Sequence, residues 1–533
     1  MKIKLNKKLA PILLLLIIIL FQAFRFRFYN LANNPPSPYW EEAAIGYDAY
    51  SILKTGKDFH GNSWPLIAFE SFGDYKPSLY FYATVPSIAI FGLNTFAVRF
   101  PSLFFGSLTV LLIYLLAKQF FKTPIVALGS ALLLAISPWH IQFSRAGFEA
   151  NLGLFLVVLG AWLFLKGTKK KIWLFPAVLS WALSLYTYHA NRIFIPLLGL
   201  TWGLYFFKTL IKKKSFSLIS IFLFALLIFP LAIRLNTPEI KQRFLETSAF
   251  VTLEPIERSS QLITADGGGV IAGIVHHRAW QYSKIFLDHY FDHFNFNYLF
   301  VSGDSNPRHS TQLVGGLYLV QLPLLLASLY YLFKNKKYNL LPLLIWALLA
   351  PVPAALTKAT PHALRSLGLV IPLAIISSYG AIELFKAKAI GKITIYLLSS
   401  ILLFELSRYL YVYHHDYPRL HSFHWQTGYE EMIEFVATKK DDYDTIYITR
   451  ELGRPSIYYW FYTKTNPKEV QALNNQVLKD QGEYLQFENI IFGQPDPQKP
   501  ALVVVSESEN SPGQLLKEIK NLNNQTIFKI YEQ

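Results

Sequence analysis

The sequence has no cysteine among its 533 residues, and only 16% of its residues are charged. The missing cysteine excludes a disulfide scaffold, a zinc finger and a cysteine nucleophile. Globular domains carry roughly 25% charged residues, so charge is depleted, yet 50 Lys+Arg oppose 34 Asp+Glu for a formal net charge of +16. Basic proteins that bind nucleic acid are rich in charge, so we expect no nucleic-acid partner.

Long apolar runs take the place of the missing charge. Hydrophobic residues make up 53% of the chain, which excludes a disordered protein. A membrane-spanning helix needs about 20 mostly apolar residues. Eleven stretches approach this length, near residues 9–24, 97–117, 123–142, 149–165, 172–188, 193–208, 215–234, 313–333, 338–356, 363–383 and 393–411. A shorter run, Leu79–Leu93, contains Pro86 and predicts an interfacial or re-entrant helix.

The lysines predict an orientation for these spans. Twenty of them lie in the N-terminal segment and in five short connections, which alternate along the chain and hold no Asp or Glu. Cytoplasmic loops carry such an excess of positive charge, so we expect a cytoplasmic N-terminus and, after eleven crossings, a C-terminus outside. The first span follows MKIKLNKK without an A-x-A cleavage site, which favours an uncleaved signal anchor. We expect a prokaryotic plasma membrane, because no retention signal for the endoplasmic reticulum ends the sequence.

The last 120 residues differ in kind, because they hold 17 of the 34 acids and only 12 Lys+Arg. Short β-like runs alternate there with helical patterns, which predicts a small α/β domain. The β-like runs are Thr445–Thr449, Ile457–Tyr462, Glu488–Phe492 and Ala501–Ser506, and the helical patterns are Tyr429–Thr438 and Ser511–Leu522. We therefore expect an all-α polytopic membrane domain over residues 1–411, with outer loops 25–96 and 235–312, and an extracytoplasmic α/β domain over 412–533.

Two adjacent carboxylates, Glu41 and Glu42, follow an aromatic pair in the first outer loop. A helix-compatible run begins at Glu41 and stops before Gly56. Its apolar residues predict a helix along the membrane interface, with both carboxylates near the lipid headgroups. From residue type alone, the simpler interpretation is that both are first-turn acids favoured by the helix dipole.

A single lysine in the same loop, Lys76, lies among aromatic residues at the start of an amphipathic stretch. An interfacial lysine can bind phosphate as a point charge. The alternative is a lysine that extends its ammonium group to the membrane surface without a ligand.

Further ionisable residues lie at the predicted outer ends of spans. Arg145 and Glu149 are four residues apart and could pair with each other. The histidines His289 and His293 also have helical spacing, but they do not form the HExxH pattern of zinc peptidases.

His189 with Arg192, and His362 with Arg365, each place a histidine and an arginine at the predicted outer end of a span. Singly, such residues are typical interfacial anchors; together they predict a cationic outer rim, beside the two carboxylates, that suits a lipid-linked phosphate.

Three motifs in order resemble polytopic glycosyltransferases of the GT-C fold, in the branch of protein O-mannosyltransferases and the lipid A aminoarabinose transferase. The motifs are Glu41–Glu42, Lys76–Tyr80 (KPSLY) and Phe91–Ser102 (FGLNTFAVRFPS). The segments Ser144–Asn151 and Pro361–Arg365 also look like later family motifs. The resemblance covers roughly residues 1–411 and does not extend to an assignment of the tail.

The resemblance implies a sugar donor carried on a polyprenyl phosphate and used at the outer face in one inverting displacement. Glu41 would be the general base, with Glu42 as the alternative, because the family position is usually Asp and Glu extends the carboxylate by one methylene. Lys76, Arg145 and Arg365 would bind the donor phosphate.

The acceptor, whether protein, lipid or glycan, is not specified by this resemblance. Further candidate substrate contacts are Tyr39, Asp74, Tyr80, Glu149, His189, Arg192, Asp304 and His362. No cofactor and no metal ligand set is predicted, although a divalent metal is compatible with the chemistry. The alternative function is a lipid or solute translocator that forms no glycosidic bond.

Overall fold

The structure, a computed structural model, describes residues 10–121, 123–234, 237, 245–387, 392–473, 479–496, 500–509 and 511–533. Part of the predicted orientation signal (the lysines before residue 10, Lys122 and Lys388) and part of the predicted loop 235–312 lie outside these residues.

Helices dominate the described chain. They are α1 (Ala10–Phe28), α2 (Trp40–Thr55), α3 (Leu79–Phe91), α4 (Thr95–Phe120), α5 (Pro124–Ile136), α6 (Pro138–Phe143), α7 (Glu149–Gly167), α8 (Leu174–Leu185), α9 (Asn191–Tyr205), α10 (Phe207–Ile211), α11 (Lys214–Ala232), α12 (Glu254–Ala265), α13 (Gly269–Val275), α14 (Arg278–Asp292), α15 (Gln321–Lys334), α16 (Leu341–Leu349), α17 (Val352–Ala355), α18 (Val370–Lys386), α19 (Lys392–Tyr411), α20 (Tyr417–Leu420), α21 (Tyr429–Lys439), α22 (Pro455–Thr463) and α23 (Pro467–Ala472). The strands are β1 (Ala68–Ser71), β2 (Asp74–Pro77), β3 (Ile446–Ile448), β4 (Lys479–Asp480), β5 (Glu483–Tyr484), β6 (Gln486–Phe487), β7 (Ile490–Phe492), β8 (Leu502–Ser506), β9 (Gln514–Lys520) and β10 (Thr526–Glu532).

Five helical segments among the described residues are long and apolar enough to cross a membrane. They are α1, α4, α7, α11 and Leu367–Lys386, which is α18 with the turn before it. Shorter apolar helices lie at Leu79–Phe91, Pro124–Ile136, Lys171–Leu185 and Leu341–Ala355. These lengths and compositions fit a multi-pass membrane protein, while the count of eleven crossings and the orientation stay predictions.

Proline explains why some predicted spans are divided into shorter helices. The stretch 123–142 forms α5 and α6, which are separated at Ser137. Ser137 precedes Pro138 and is extended, with φ −60° and ψ 122°, because a residue before proline is disfavoured in the helical region. Hydropathy alone does not register this break.

Two compact units emerge from the contacts within the chain. Unit 1 comprises the segment up to Leu20, Thr109–His140 and Gly153–Leu406. Unit 2 comprises Phe21–Leu108, Ile141–Leu152 and Ser407–Gln533, so the loop predicted as the first outer loop, 25–96, belongs to the same unit as the tail. The boundary predicted at residue 411 falls inside unit 2 and stays a prediction.

A six-stranded mixed sheet forms part of unit 2, with strand order β6-β7-β3-β8-β10-β9. The central strand β3 runs parallel to both β7 and β8, and β10 is antiparallel to β8 and β9. The runs predicted as β3, β7 and β8 and the helix predicted as α21 are found where the sequence pattern indicated them.

Two predictions in the tail are wrong. The run Ile457–Tyr462, predicted as a strand, lies in helix α22, whose residues Pro455–Phe461 are all buried. A helix that is buried on all sides has no alternation of apolar and polar residues at the helical period. Its aromatic residues, which are common in strands, therefore favoured a strand prediction. The run Ser511–Leu522, predicted as a helix, contains the strand β9, which pairs with β10 at the edge of the sheet.

Candidate active site

Helix α2 carries the two adjacent carboxylates in its first turn. Tyr39 precedes the helix in an extended conformation, and the backbone N–H of Trp40 donates to the Gln426 side chain over 3.0 Å. Gly56 ends the helix in the left-handed conformation, with φ 71°, which glycine adopts without steric cost. The helix therefore begins and ends close to where the sequence pattern placed it, and the helix dipole favours carboxylates in its first turn.

The hairpin β1–β2 positions the predicted lysine against this helix. Phe69 of β1 pairs with Lys76 of β2 in the antiparallel register. The Lys76 Nζ lies 2.6 Å from Glu41 Oε1 and 3.6 Å from Asp74 Oδ2. The Lys76 side chain is 10% exposed and that of Glu41 is 30% exposed. Three predicted site residues thus meet at a partly accessible position in unit 2.

Glu42, one residue along α2, has a different environment. Arg99 donates from Nε to Glu42 Oε1 and from Nη2 to Glu42 Oε2, both over 2.9 Å, and the backbone N–H of Gly147 donates to Oε1 over 2.7 Å. The side chains of Glu42 and Arg99 are 0% exposed. Successive residues of an α-helix point about 100° apart, so one carboxylate faces the interior and its neighbour does not.

Arg99 also binds the segment that leads into α2. Its guanidinium donates to the carbonyl oxygens of Leu31, Pro35 and Ser37 over 3.1, 2.7 and 2.8 Å. Sequence reasoning did not single out Arg99, which appeared only within the motif Phe91–Ser102. A charged residue at the edge of an apolar run usually has a buried partner, and this was the signal that could have identified it.

Arg145, predicted to bind phosphate, is fully buried. Its terminal nitrogens donate to the carbonyl oxygens of Phe26, Tyr29 and Asn34 over 2.8, 2.7 and 2.8 Å. Its guanidinium lies 5.3 Å from the centre of the Tyr413 ring, and burial lowers the pKa of Arg145 from its ordinary value. Through these contacts Arg145 connects the C-terminal end of α1 to the loop that follows it.

The other predicted contacts of unit 2 are also buried. The Tyr39 ring packs edge-on against Trp425, and the Tyr80 hydroxyl donates to the Val98 carbonyl oxygen over 3.1 Å. Glu149 begins helix α7 and is 8% exposed. Their role as substrate contacts stays a prediction.

The remaining predicted residues belong to unit 1. Arg192 Nη1 lies 3.1 Å from His189 Nδ1, so these two predicted residues come together. The Arg365 guanidinium donates to Thr357 Oγ1 over 2.8 Å and is half-buried.

The two helically spaced histidines, His289 and His293, meet through the backbone of His289. His293 Nδ1 lies 2.8 Å from the His289 carbonyl oxygen, and its Nε2 accepts from the backbone N–H of His362 over 3.1 Å. Burial lowers the pKa of His293. Asp304 and His362, singled out separately in the sequence, lie in one cluster with His309.

The helical fold, together with the pair of Glu41 and Lys76, indicates the GT-C class of membrane glycosyltransferases. Residues 75–233 match the family of dolichyl-phosphate-mannose-protein mannosyltransferases. This match and the relatives below confirm the resemblance stated from the sequence, and the family and fold neighbours are glycosyltransferases.

Solved structures share the fold at low sequence identity. The crystal structure of ArnT from Cupriavidus metallidurans bound to undecaprenyl phosphate matches with a TM-score of 0.57 and 12% identity, over 98% of each chain. The archaeal oligosaccharyltransferase AglB from Archaeoglobus fulgidus, in complex with an inhibitory peptide and a dolichol-phosphate, matches with a TM-score of 0.50 and 14% identity, over 85% of this chain and 64% of that chain.

One curated relative matches a smaller region. It is YkcB of Bacillus subtilis (strain 168), named as a candidate mannosyltransferase, and it is 28% identical over 218 residues. The match covers 40% of this chain and 29% of the length of that relative.

Proposed function

We propose that this protein is a membrane glycosyltransferase that moves a sugar from a polyprenyl-phosphate donor to an acceptor hydroxyl at the outer face of the plasma membrane. The observation that carries the proposal is the contact of 2.6 Å between Glu41 and Lys76 at a partly accessible position. A base and a phosphate-binding cation are the two groups that this reaction requires. The lipid phosphates named with the structures of ArnT and AglB have the same donor chemistry.

Glu41 is the proposed general base. In the displacement, the acceptor hydroxyl gives its proton to the Glu41 carboxylate while its oxygen attacks C1 of the sugar. The bond from C1 to the phosphate oxygen breaks, and its electron pair stays on the lipid phosphate. No general acid is required, because the phosphate is already a good leaving group.

Lys76 is the proposed phosphate contact. Its ammonium group already lies between two carboxylates, Glu41 and Asp74. A donor phosphate beside Lys76 would gain a charge-assisted hydrogen bond, and the ammonium would stabilise the charge that develops as the sugar leaves. Arg365 belongs to unit 1, and its role as a phosphate contact stays a prediction.

Glu42, Arg99 and Arg145 are proposed to hold the framework rather than the substrates. All three side chains are fully buried. Arg99 donates to Glu42, Glu42 also accepts from the backbone N–H of Gly147, and Arg145 donates to the Asn34 carbonyl oxygen. Glu42 therefore supports the helix turn on which Glu41 is presented.

The test follows label from lipid to acceptor. Proteoliposomes with the purified protein receive radiolabelled polyprenyl-phosphate mannose, together with membranes of the expressing strain as the source of acceptor. The wild type should move label out of the lipid extract. Glu41→Gln should reduce the rate by about 10²-fold or more, since a general base contributes typically 10²–10⁴-fold.

Matched variants separate the proposal from its alternatives. Lys76→Ala should also lose transfer, whereas Lys57→Ala, an exposed lysine in the same loop, should not. Equal transfer by the wild type, Glu41→Gln and Lys76→Ala would reject the site. Movement of the donor across sealed vesicles without any new glycosidic bond would favour the translocator instead.

A further inference from the structure

A second cluster of chemically active side chains lies in unit 1, apart from the residues proposed for catalysis. It consists of Asp304, His309 and His362, whose candidate ligand atoms all lie within 4.8 Å of one another. Asp304 is 4% exposed and His309 is 8% exposed. Among the described residues, this is the one group of three or more such side chains at that spacing. We propose that this cluster is a zinc-binding site.

The donor set favours zinc over the common hard cations. Two imidazoles and one carboxylate suit Zn²⁺, which binds His nitrogen at about 2.0–2.1 Å and carboxylate oxygen at about 2.0–2.2 Å. Ca²⁺ and Mg²⁺ prefer sites built from oxygen alone. Three protein ligands would leave a fourth position of a tetrahedral zinc for water.

Two of the three ligands are already close to the spacing that zinc requires. His309 Nδ1 lies 3.0 Å from Asp304 Oδ2. Ligands of a tetrahedral zinc with bonds of this length are separated by about 3.3 Å. A zinc ion can therefore replace the shared proton with a small outward adjustment. The His309 and His362 rings have centroids 4.8 Å apart, so binding would draw His362 inward.

Surrounding hydrogen bonds hold the ligands in place. Asp304 Oδ1 accepts from the backbone N–H of Asn306 over 2.8 Å, and Asp304 Oδ2 accepts from that of Ala363 over 2.7 Å. The backbone N–H of His362 donates to His293 Nε2 over 3.1 Å. Such outer contacts orient metal ligands and are part of the affinity of natural metal sites.

An exposed pair in the same unit provides a comparison. His276 and Asp266 also interact through their side chains, but these are 21% and 58% exposed. Among the described residues, this pair does not belong to a group of three candidate metal ligands. Burial and the third ligand therefore distinguish the proposed zinc site from an ordinary surface ion pair.

The proposed zinc would fasten two loops of unit 1 to each other. Asp304 and His309 come from the loop after residue 301, and His362 comes from the loop before α18. The second loop also carries Arg365, so the metal would stabilise the backbone that presents this arginine. The proposal concerns metal binding and loop stability and does not depend on the proposed glycosyl transfer.

Metal content is the direct test. The purified full chain is stripped with a chelator, incubated with Zn²⁺ alone, dialysed and analysed by elemental mass spectrometry and by competition with a chromophoric chelator. We expect one tightly held zinc per chain. Zinc binding should be weakened by more than about 10-fold in each of the variants His309→Gln, His362→Gln and Asp304→Asn. Loss of a hydrogen-bond partner of a metal ligand already costs about 10-fold or more in affinity, and loss of the ligand itself should cost more. His276→Gln should bind zinc like the wild type.

A measurement on the unaltered protein covers the case in which a variant fails to fold. Zinc-edge X-ray absorption of the wild type should show imidazole scattering from two histidines with metal–nitrogen distances of about 2.0–2.1 Å. Absence of zinc from the reconstituted wild type would overturn the proposal. It would equally be overturned by retention of zinc in His309→Gln and His362→Gln, or by equal binding of Mg²⁺.

Discussion

The buried pair of Glu42 and Arg99 yields a prediction that separates the two adjacent glutamates. Glu42→Gln removes the charge that neutralises Arg99 while keeping the size of the side chain. Two contacts of 2.9 Å and one of 2.7 Å are weakened or lost. Removal of one partner from a buried ion pair costs on the order of 3–5 kcal/mol, because the other charge is left uncompensated.

The assay is equilibrium unfolding in mixed micelles, followed by tryptophan fluorescence. Glu42→Gln should lower the free energy of unfolding by about 3–5 kcal/mol. Glu41→Gln should change it by about 0–1 kcal/mol, because the Glu41–Lys76 pair is partly solvated. The double variant Glu42→Gln/Arg99→Gln should cost less than the sum of the single variants, since the two residues share one interaction.

The opposite result would refute this reasoning. If Glu42→Gln unfolds like the wild type but transfers no sugar, then Glu42 is the base and the assignment of the two carboxylates is reversed. If Glu42→Gln and Arg99→Gln both unfold like the wild type, the ion pair of Glu42 and Arg99 does not contribute to the stability of unit 2.

Three further predictions concern topology, pH and backbone conformation. Because the chain has no cysteine, single cysteines at the exposed Lys57 and Lys212 report sidedness: in intact cells an impermeant maleimide should label Lys57→Cys and spare Lys212→Cys, and the reverse would invert the predicted orientation. Burial raises the pKa of Asp48 well above its ordinary value, so the folded state binds this proton more tightly than the unfolded state, and the resulting stabilisation is lost as pH rises through the folded pKa. Asp48→Asn should therefore raise the midpoint of thermal unfolding more at pH 8 than at pH 5. An equal shift of the midpoint at both pH values would contradict this prediction. Gly453 has φ +147° and a Cβ there would lie 2.9 Å from the Trp40 ring, so Gly453→Ala should lower the free energy of unfolding by more than about 1 kcal/mol, and an unchanged midpoint in denaturant would contradict it.

Local signals in the sequence predicted the elements that carry the candidate site. Gly56 marked the end of α2, and the aromatic pair followed by two acids marked its start. The motif around Lys76 predicted a cation near these acids, and the structure places it 2.6 Å from Glu41. These features depend on residues close together in the chain or on a family pattern.

Distant partners decided what local pattern could not predict. Glu41 and Glu42 are equivalent by residue type, and only the contact of Glu42 with Arg99, far along the chain, distinguishes them. Arg145 was expected at an accessible rim because it follows an apolar run, but carbonyl groups of the α1 end and the loop after it surround it. In the tail, Ile457–Phe461 are all buried, so the order of apolar and polar side chains in this run did not reveal the helical period.

The glutamate at position 41 leads to a last prediction, because the glycosyltransferases that the sequence resembles usually have aspartate there. The 2.6 Å contact with Lys76 is made by the longer side chain. Glu41→Asp withdraws the carboxylate by one carbon–carbon bond of about 1.5 Å, which leaves about 4 Å to the ammonium, beyond hydrogen-bond range. The Glu41→Asp variant of this protein should therefore transfer sugar more slowly than the wild type.

The measurement compares kcat and KM of the wild type, Glu41→Asp and Glu41→Gln in the labelled-donor assay. Glu41→Asp should retain part of the rate, between those of the wild type and Glu41→Gln, because it keeps a carboxylate that can accept the proton. A rate for Glu41→Asp equal to or above that of the wild type would mean that the contact with Lys76 is not what positions the base. The 2.6 Å pair would then be a feature of the resting state alone.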